Sequence, residues 1–313
     1  MNNKNLFRVG CLDLGSNALK YKQYRIIKNE ASLKPELETY KRIPIRLGTD
    51  VFKKGKIKKK TIKKIEHQLS TLLKQLESKN VKFIGGFATS AMRTAGNGKE
   101  VCDFLNQSFD INLKILSGEE EADLLLFLTK KYPEDGSHLF VDVGGGSTEF
   151  FYSSSKIKTS KSFNLGAVRI YLDKDRLSEW NEFENYLNSF DKSSIRKIVG
   201  VGGNIRSLIS IITRDKGHDI SLIDLDKCLN NLLKLSNEEK ITKLSLSKDR
   251  ADIIESAGKI FLRIMNFFPT ASLHSASWSI SDALVDRYLN ENYAGLSSES
   301  VSYTHLRAHE TAY

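Results

Sequence analysis

The sequence predicts an α/β chain made of two related halves. Three observations carry that prediction. Short apolar runs bounded by turn residues alternate with segments of helical spacing along most of the chain. Two similar turns, Asp13-Leu14-Gly15-Ser16 and Asp142-Val143-Gly144-Gly145, lie 142 − 13 = 129 residues apart. Each follows an apolar strand and leads into another strand. A repeat of that length implies two lobes, since solenoid repeats run about 20–50 residues.

The elements follow in order. Residues 9–14 form a buried strand entering Gly15-Ser16-Asn17, and 18–27 resume with Tyr21, Tyr24 and Ile26, which makes a hairpin. Residues 61–77 place Ile62, Ile65, Leu69, Leu72, Leu73 and Leu76 at helical spacing with lysines opposite. A strand is expected over 81–88, a helix over 100–105, a short strand over 112–116, and a helix from Ser117 to Leu128. Residues 139–143 are a second apolar strand, entering Gly144-Gly145-Gly146-Ser147, with 149–152 as the return arm. Residues 163–172 read as a connector and 179–190 as a helix. Residues 197–201 form a strand that enters Gly202-Gly203 and the helix 205–212. Helices over 225–234 and 250–268, a strand over 271–276 and a helix over 280–290 complete the pattern. The polar stretch 130–136, with Pro133, is the expected boundary, giving an N-terminal lobe over 1–128 and a C-terminal lobe over 129–300. Residues 301–313 read as a non-native tail, because 301–311 match the translated sequence of a transposon-type sequencing-library adapter. His305 and His309 are therefore set aside as ligands.

Lys and Arg number 48 against 38 Asp and Glu, a net charge of +10. That excess favours polyanions, whether nucleic acid, anionic membrane or phosphate chains. No apolar run reaches the about 18 residues of a spanning helix, and the first residues are too polar for a secretory signal. The cytoplasm is the expected location. Cys11, Cys102 and Cys228 show no C-x-x-C spacing, and no H-E-x-x-H occurs, so neither a disulfide framework nor a zinc site is expected.

Several motifs could carry chemistry. The two glycine turns suit phosphate, because successive backbone N–H groups can point into one concavity. A strand follows each, which excludes the dinucleotide fingerprint, and no G-x-x-x-x-G-K-[ST] occurs. The alternative is a pair of tight hairpin turns. Asp142 and Glu149 flank the second turn, and hard oxygen ligands of this kind suit Mg2+ together with substrate phosphates. Ser117-Gly118-Glu119-Glu120-Glu121 reads either as a capping box with acids at a helix start or as the source of a general base. Arg93 could pair with phosphate or lie on the surface. Lys53, Lys54, Lys56 and Lys58 lie in the densest basic run, either a solvated face or a track for a polyanion. Only Phe52 is interleaved with them, so base stacking has little support. The 200–204 loop joins a strand to a helix and suits a nucleotide, a phosphate or a close-packing turn.

Taken together, Asp13-Leu14-Gly15-Ser16-Asn17, residues 88–93, 117–122 and 142–149 resemble the exopolyphosphatase / guanosine pentaphosphate phosphatase (Ppx/GppA) family, in its short two-domain form. Weaker likeness lies in 165–169, 200–204 and 250–254. The resemblance covers about 9–290. It implies the actin-like ATPase superfold, two ribonuclease-H-like lobes with the site in a central cleft, and dependence on Mg2+. It implies Glu121 as the catalytic acid with Glu120 beside it. It places phosphate contacts at Ser16, Asn17, Arg93, Gly144, Gly145, Gly146 and Ser147, and acids near the metal at Asp142 and Glu149. Where the family usually carries a glycine-leucine-arginine-glutamate-glycine run, this chain has Ser279-Ile280-Ser281-Asp282-Ala283.

The expected function is hydrolysis of terminal phosphate from polyphosphate or guanosine pentaphosphate by water attack. A kinase or ATPase of the same superfold and a non-catalytic sensor of these ligands are the alternatives. Membrane and nucleic acid are not expected partners. A homodimer is left open, since the sequence does not set oligomeric state.

Overall fold

A computed structural model describes residues 4–28, 32–213, 219–293 and 297–298. The chain divides into two compact units, 1–117 with 280–313, and 118–279.

The first unit is built on β1 (Lys4–Leu14), β2 (Ala18–Lys28) and β3 (Ser32–Pro44), an antiparallel meander. Helices α1 (Leu47–Lys54) and α2 (Lys59–Ser78) precede β4 (Val81–Ala88), which pairs parallel to β1. Helices α3 (Ser90–Thr94) and α4 (Gly98–Phe109) lead to β5 (Leu113–Ile115), parallel to β4. Strand β1 is central and buried on both faces, so it reads as a continuous apolar run. Leu12 and Leu14 face the cluster holding Ile65, Leu69, Leu72 and Leu76 of α2. Val9 and Cys11 face the opposite cluster.

The second unit begins with α5 (Gly118–Leu126), followed by β6 (Asp135–Val143), β7 (Thr148–Ser154) and β8 (Lys158–Phe163), again an antiparallel meander. Helices α6 (Ala167–Tyr171) and α7 (Leu177–Asn188) lead to β9 (Lys197–Val201), parallel to β6. Helices α8 (Gly203–Thr213), α9 (Leu222–Leu232), α10 (Asn237–Leu244), α11 (Lys248–Ala251) and α12 (Ile254–Phe267) precede β10 (Ser272–Ser275), parallel to β9. Its core is aromatic, with Phe140 stacked on Phe151 at 5.4 Å and Phe150 edge-on to Phe163 at 5.8 Å. The chain then re-enters the first unit through α13 (Ile280–Asn292) and the two-residue β11 (Ser297–Ser298), parallel to β3.

The sheet orders are β11-β3-β2-β1-β4-β5 and β10-β9-β6-β7-β8. Apart from β11, the second order is the first repeated. Each unit has three antiparallel strands, with two parallel strands added beside the first. This is the ribonuclease-H-like pattern, twice over, of the actin-like ATPase superfold.

Several expectations need correction. The lobes were expected over 1–128 and 129–300, but the compact units change over at 117/118 and 279/280. The reason is long-range packing. Helix α5 packs against β7 and β8, and Ser160 Oγ donates to Asp123 Oδ1 at 2.6 Å. Helix α13 buries Val285 and Leu289 against Val9, Cys11, Tyr24, Ile26 and Leu33. Asp282 of α13 accepts from Lys22 Nζ at 2.6 Å and from Tyr24 Oη at 2.7 Å, both on β2. The helix expected over 250–268 is broken between α11 and α12. Strands β3 and β8 and helices α1 and α10 were not anticipated. The tail at 301–313 lies outside the described residues.

Candidate active site

The two glycine turns share one construction. At the first, Gly15 N donates to Ala18 O at 3.1 Å; at the second, Gly144 N donates to Ser147 O at 2.9 Å. Asp13 stands directly across the sheet from Lys20, and Asp142 from Glu149.

In the first unit, Ser16 is buried and Asn17 half-buried. Ser16 O accepts from Gly48 N at 2.7 Å, and Asn17 O accepts from Ile45 N at 3.1 Å and Arg46 N at 2.8 Å. The turn is thus held from behind by the start of α1. Arg93, half-buried on α3, donates from Nη1 to Leu116 O at 2.5 Å. Its guanidinium therefore lies at the segment that leads from β5 toward Ser117.

In the second unit the carbonyls of the glycine turn are all engaged. Gly144 O accepts from Ala167 N at 3.0 Å, Gly145 O from Val168 N at 2.7 Å and Gly146 O from Arg169 Nε at 2.6 Å. In a trans peptide the following N–H points opposite to the carbonyl. The N–H groups of Gly145, Gly146 and Ser147 are therefore turned away from α6, and a run of such groups is suited to an anion. The contact is close: a Cβ on Gly166 would lie 2.5 Å from Gly146 backbone atoms.

The acids sit around the same turn. Glu149 is buried on β7 and accepts from Ser162 Oγ at 3.0 Å. Asp142 is half-buried at the end of β6. Gly202 abuts it, with φ of 90°, and a Cβ there would stand 2.8 Å from Asp142 Oδ1. Asn204 Nδ2 donates to Val143 O at 2.8 Å, and Arg250 Nη1 donates to Gly203 O at 2.9 Å. The 200–204 loop therefore acts as a buttress for the end of β6. Directly opposite residues of paired strands project to the same face, so Asp142 and Glu149 offer hard oxygens side by side, a donor set that fits Mg2+.

Burial separates the three acids that start α5. Glu119 is exposed, Glu120 half-buried and Glu121 buried at 8% exposure. Since α5 packs on β7 and β8, Glu120 and Glu121 belong to the unit that holds Asp142, Gly144, Gly145, Gly146, Ser147 and Glu149. Ser16, Asn17 and Arg93 belong to the other unit.

Lys53, Lys54, Lys56 and Lys58 are exposed in the first unit. Their backbone is held firmly. Asn97 donates to Ile57 O at 3.0 Å and accepts from Ile57 N at 2.8 Å. Asp50 accepts from Thr61 Oγ1 at 2.5 Å and pairs with Lys58 Nζ at 3.0 Å. A depression of about 640 Å³ in the first unit is lined by Phe7, Arg8, Arg25, Val81 and Lys82. It lies at the opposite end of β1 and β4 from the glycine turn, away from every candidate residue.

Sequence reasoning passed over Lys20 and Ser162, gave no role to Gly166, Arg169 or Arg250, and read the 200–204 loop that holds Gly202 as a nucleotide site, a phosphate site or a close-packing turn without linking it to Asp142. For Lys20 a signal existed, since it follows Asp13 at the spacing with which Glu149 follows Asp142.

Residues 26–291 match the Ppx/GppA phosphatase family. The chain is 28% identical over 296 residues to a bifunctional 3-dehydroquinate synthase/phosphatase of Fusobacterium nucleatum, covering 85% of this chain and 44% of that protein. It is 21% identical to a guanosine-5'-triphosphate,3'-diphosphate pyrophosphatase of Aeromonas hydrophila, covering 94% of this chain and 61% of that one. It thus spans about half of these two relatives. The crystal structure of an exopolyphosphatase from Cytophaga hutchinsonii superposes with a TM-score of 0.75 at 18% identity, covering 94% of this chain and 100% of that chain.

Proposed function

Because this chain belongs to the Ppx/GppA phosphatase family, we propose that it is a phosphoanhydride hydrolase releasing terminal phosphate from inorganic polyphosphate or guanosine pentaphosphate. One observation supports this most. A single unit brings the buried Glu121, the turned-out N–H groups of Gly145, Gly146 and Ser147, and the facing carboxylates Asp142 and Glu149 onto adjoining elements.

In this reading the N–H groups hold the terminal phosphate, and Glu121 takes the proton of the attacking water. The bond between terminal phosphorus and bridging oxygen breaks, leaving orthophosphate and a shortened chain. Glu120 lies on the same first turn and assists. The first unit carries its own candidate phosphate contacts, Ser16, Asn17 and Arg93. Mg2+ would be held by Asp142 and Glu149, where it would offset the charge of the phosphate oxygens. Catalysis is then mostly positioning and charge stabilisation. Lys53, Lys54, Lys56 and Lys58 attract the polyanion. The cytoplasm is the proposed location; no helix among the described residues is long and apolar enough to cross a membrane.

The test is phosphate release from long polyphosphate and from guanosine pentaphosphate, side by side, with and without Mg2+, and with ATP as the control donor. Release from either of the first two supports the reading. Tight binding without release would make the protein a sensor, and transfer from ATP alone would make it a kinase or ATPase.

A further inference from the structure

The depression in the first unit takes no part in the proposed reaction. It holds about 640 Å³, and its lining includes Phe7, Arg8, Arg25, Glu77, Lys82 and Tyr293. Arg8 stands opposite Val81 where β1 and β4 pair, 14 − 8 = 6 residues before Leu14. At about 3.3 Å per residue, that is roughly 20 Å from the first glycine turn.

Two chemistries meet there. Phe7 and Tyr293 are half-buried and stacked, with ring centroids 5.2 Å apart and planes at 21°. They give the depression a flat aromatic surface, on which a nucleobase can stack. The other lining groups are charged. Arg8 donates from Nε to Glu38 at 2.8 Å, and Arg25 from Nη2 to Glu36 at 3.0 Å. These acids hold the two guanidiniums in place and offset part of their charge. A guanidinium carries five N–H donors, so one such bond leaves donors for a ligand. Lys82 is exposed, and its Nζ lies 5.3 Å from the centroid of the Tyr288 ring. Glu77 offers acceptors to the N–H groups of a base. The volume falls in the range of about 300–1,000 Å³ usual for small-molecule sites. With Arg8 and Arg25 partly neutralised, the charge suits a single phosphate group and not a long phosphate chain.

We propose that this depression is a second ligand site, which takes a nucleoside monophosphate. The base stacks with Phe7 and Tyr293, and the phosphate is held by Arg8, Arg25 and Lys82. The proposal is independent of the roles given to the glycine turns.

The experiment is calorimetric titration of the full chain with AMP, adenosine and orthophosphate. The wild type should bind AMP more tightly than adenosine, which lacks the phosphate, and than orthophosphate, which lacks the base. Lys82→Gln and Arg8→Gln should each weaken AMP by roughly ten-fold or more, the loss of a charge-assisted bond, and leave adenosine unchanged. Tyr293→Leu should weaken AMP and adenosine alike. Arg93→Gln should leave AMP binding as it is, and Lys82→Gln should release phosphate from polyphosphate as fast as the wild type. No binding of AMP, equal binding in Lys82→Gln and the wild type, or loss of AMP binding in Arg93→Gln would overturn the proposal. Orthophosphate or adenosine bound as tightly as AMP would overturn the ligand class. Circular dichroism checks the fold of each variant. If Arg8→Gln does not fold, the exposed Lys82 carries the test. If the wild type releases no phosphate, the hydrolase reading fails separately, and the AMP titrations still decide this one.

Discussion

At the residue scale, the three glutamates that open α5 differ only in direction, and burial singles out Glu121. Replacing Glu121 by Gln keeps its size and removes the proton acceptor. The expected result is a fall in kcat of about 10²-fold or more, the range for a general base, with KM little changed. Phosphate-release kinetics would check this, and full activity would remove the assignment. Gly166 is a different case, because its role is spatial. A Cβ there would sit 2.5–2.6 Å from backbone atoms of Gly145 and Gly146. Backbone yields less readily than a side chain, so Gly166→Ala should cost about 1–3 kcal/mol, as overpacking does, measured by urea unfolding. It should also raise KM, since the displaced turn is the one proposed to hold phosphate. That one of these acids could serve as a base was readable from the acid run before an apolar helix, and only the family resemblance pointed to Glu121 among them. The need for Gly166 was not, because its contact partner lies some twenty residues away in the chain.

At the element scale, the basic segment between α1 and α2 is a fixed structure. Ile57 is buried, Asn97 bridges it in both directions, and Asp50 gathers Thr61 and Lys58. Burial pushes the Asp50 carboxyl up, but the bonds from Thr61 and Lys58 outweigh it, so its pKa lies below the ordinary 3.8. A carboxyl depressed in the folded state contributes stability above its unfolded pKa and loses it as pH falls through the folded value. Asp50→Asn should therefore be less stable than wild type at pH 7 and decline less between about pH 5 and pH 2. Urea unfolding at a series of pH values would show it; parallel curves would refute the role of Asp50. Elements with strong periodicity, such as β1, β2, β4, α2 and β6, were legible from sequence. Strand β8, Lys-Thr-Ser-Lys-Ser-Phe, was not, because it is a polar edge strand recruited by pairing with β7. Strand β3 is likewise defined by its long register with β2 and not by its own largely polar composition.

At the scale of the whole molecule, the net charge of +10 makes binding of a polyanion salt-dependent through counterion release. Converting Lys53, Lys54 and Lys56 to Gln should weaken binding of long polyphosphate and flatten the slope of log affinity against log salt. Orthophosphate release from the shortest chains should change little. Equal slopes would show that these lysines are only a solvated face. What the sequence determined by itself was the double α/β plan, the two turns and the residue types gathered at them. These follow from contiguous patterns: apolar runs, helical spacing and glycine where the chain reverses. Only the tertiary structure decided that α5 joins the second unit, that α13 returns to the first, that Glu121 is the buried acid, and that the carbonyls of the glycine turn are tied to α6 and Arg169. Each of those depends on pairs of residues far apart along the chain, whose packing and hydrogen bonds no local pattern encodes.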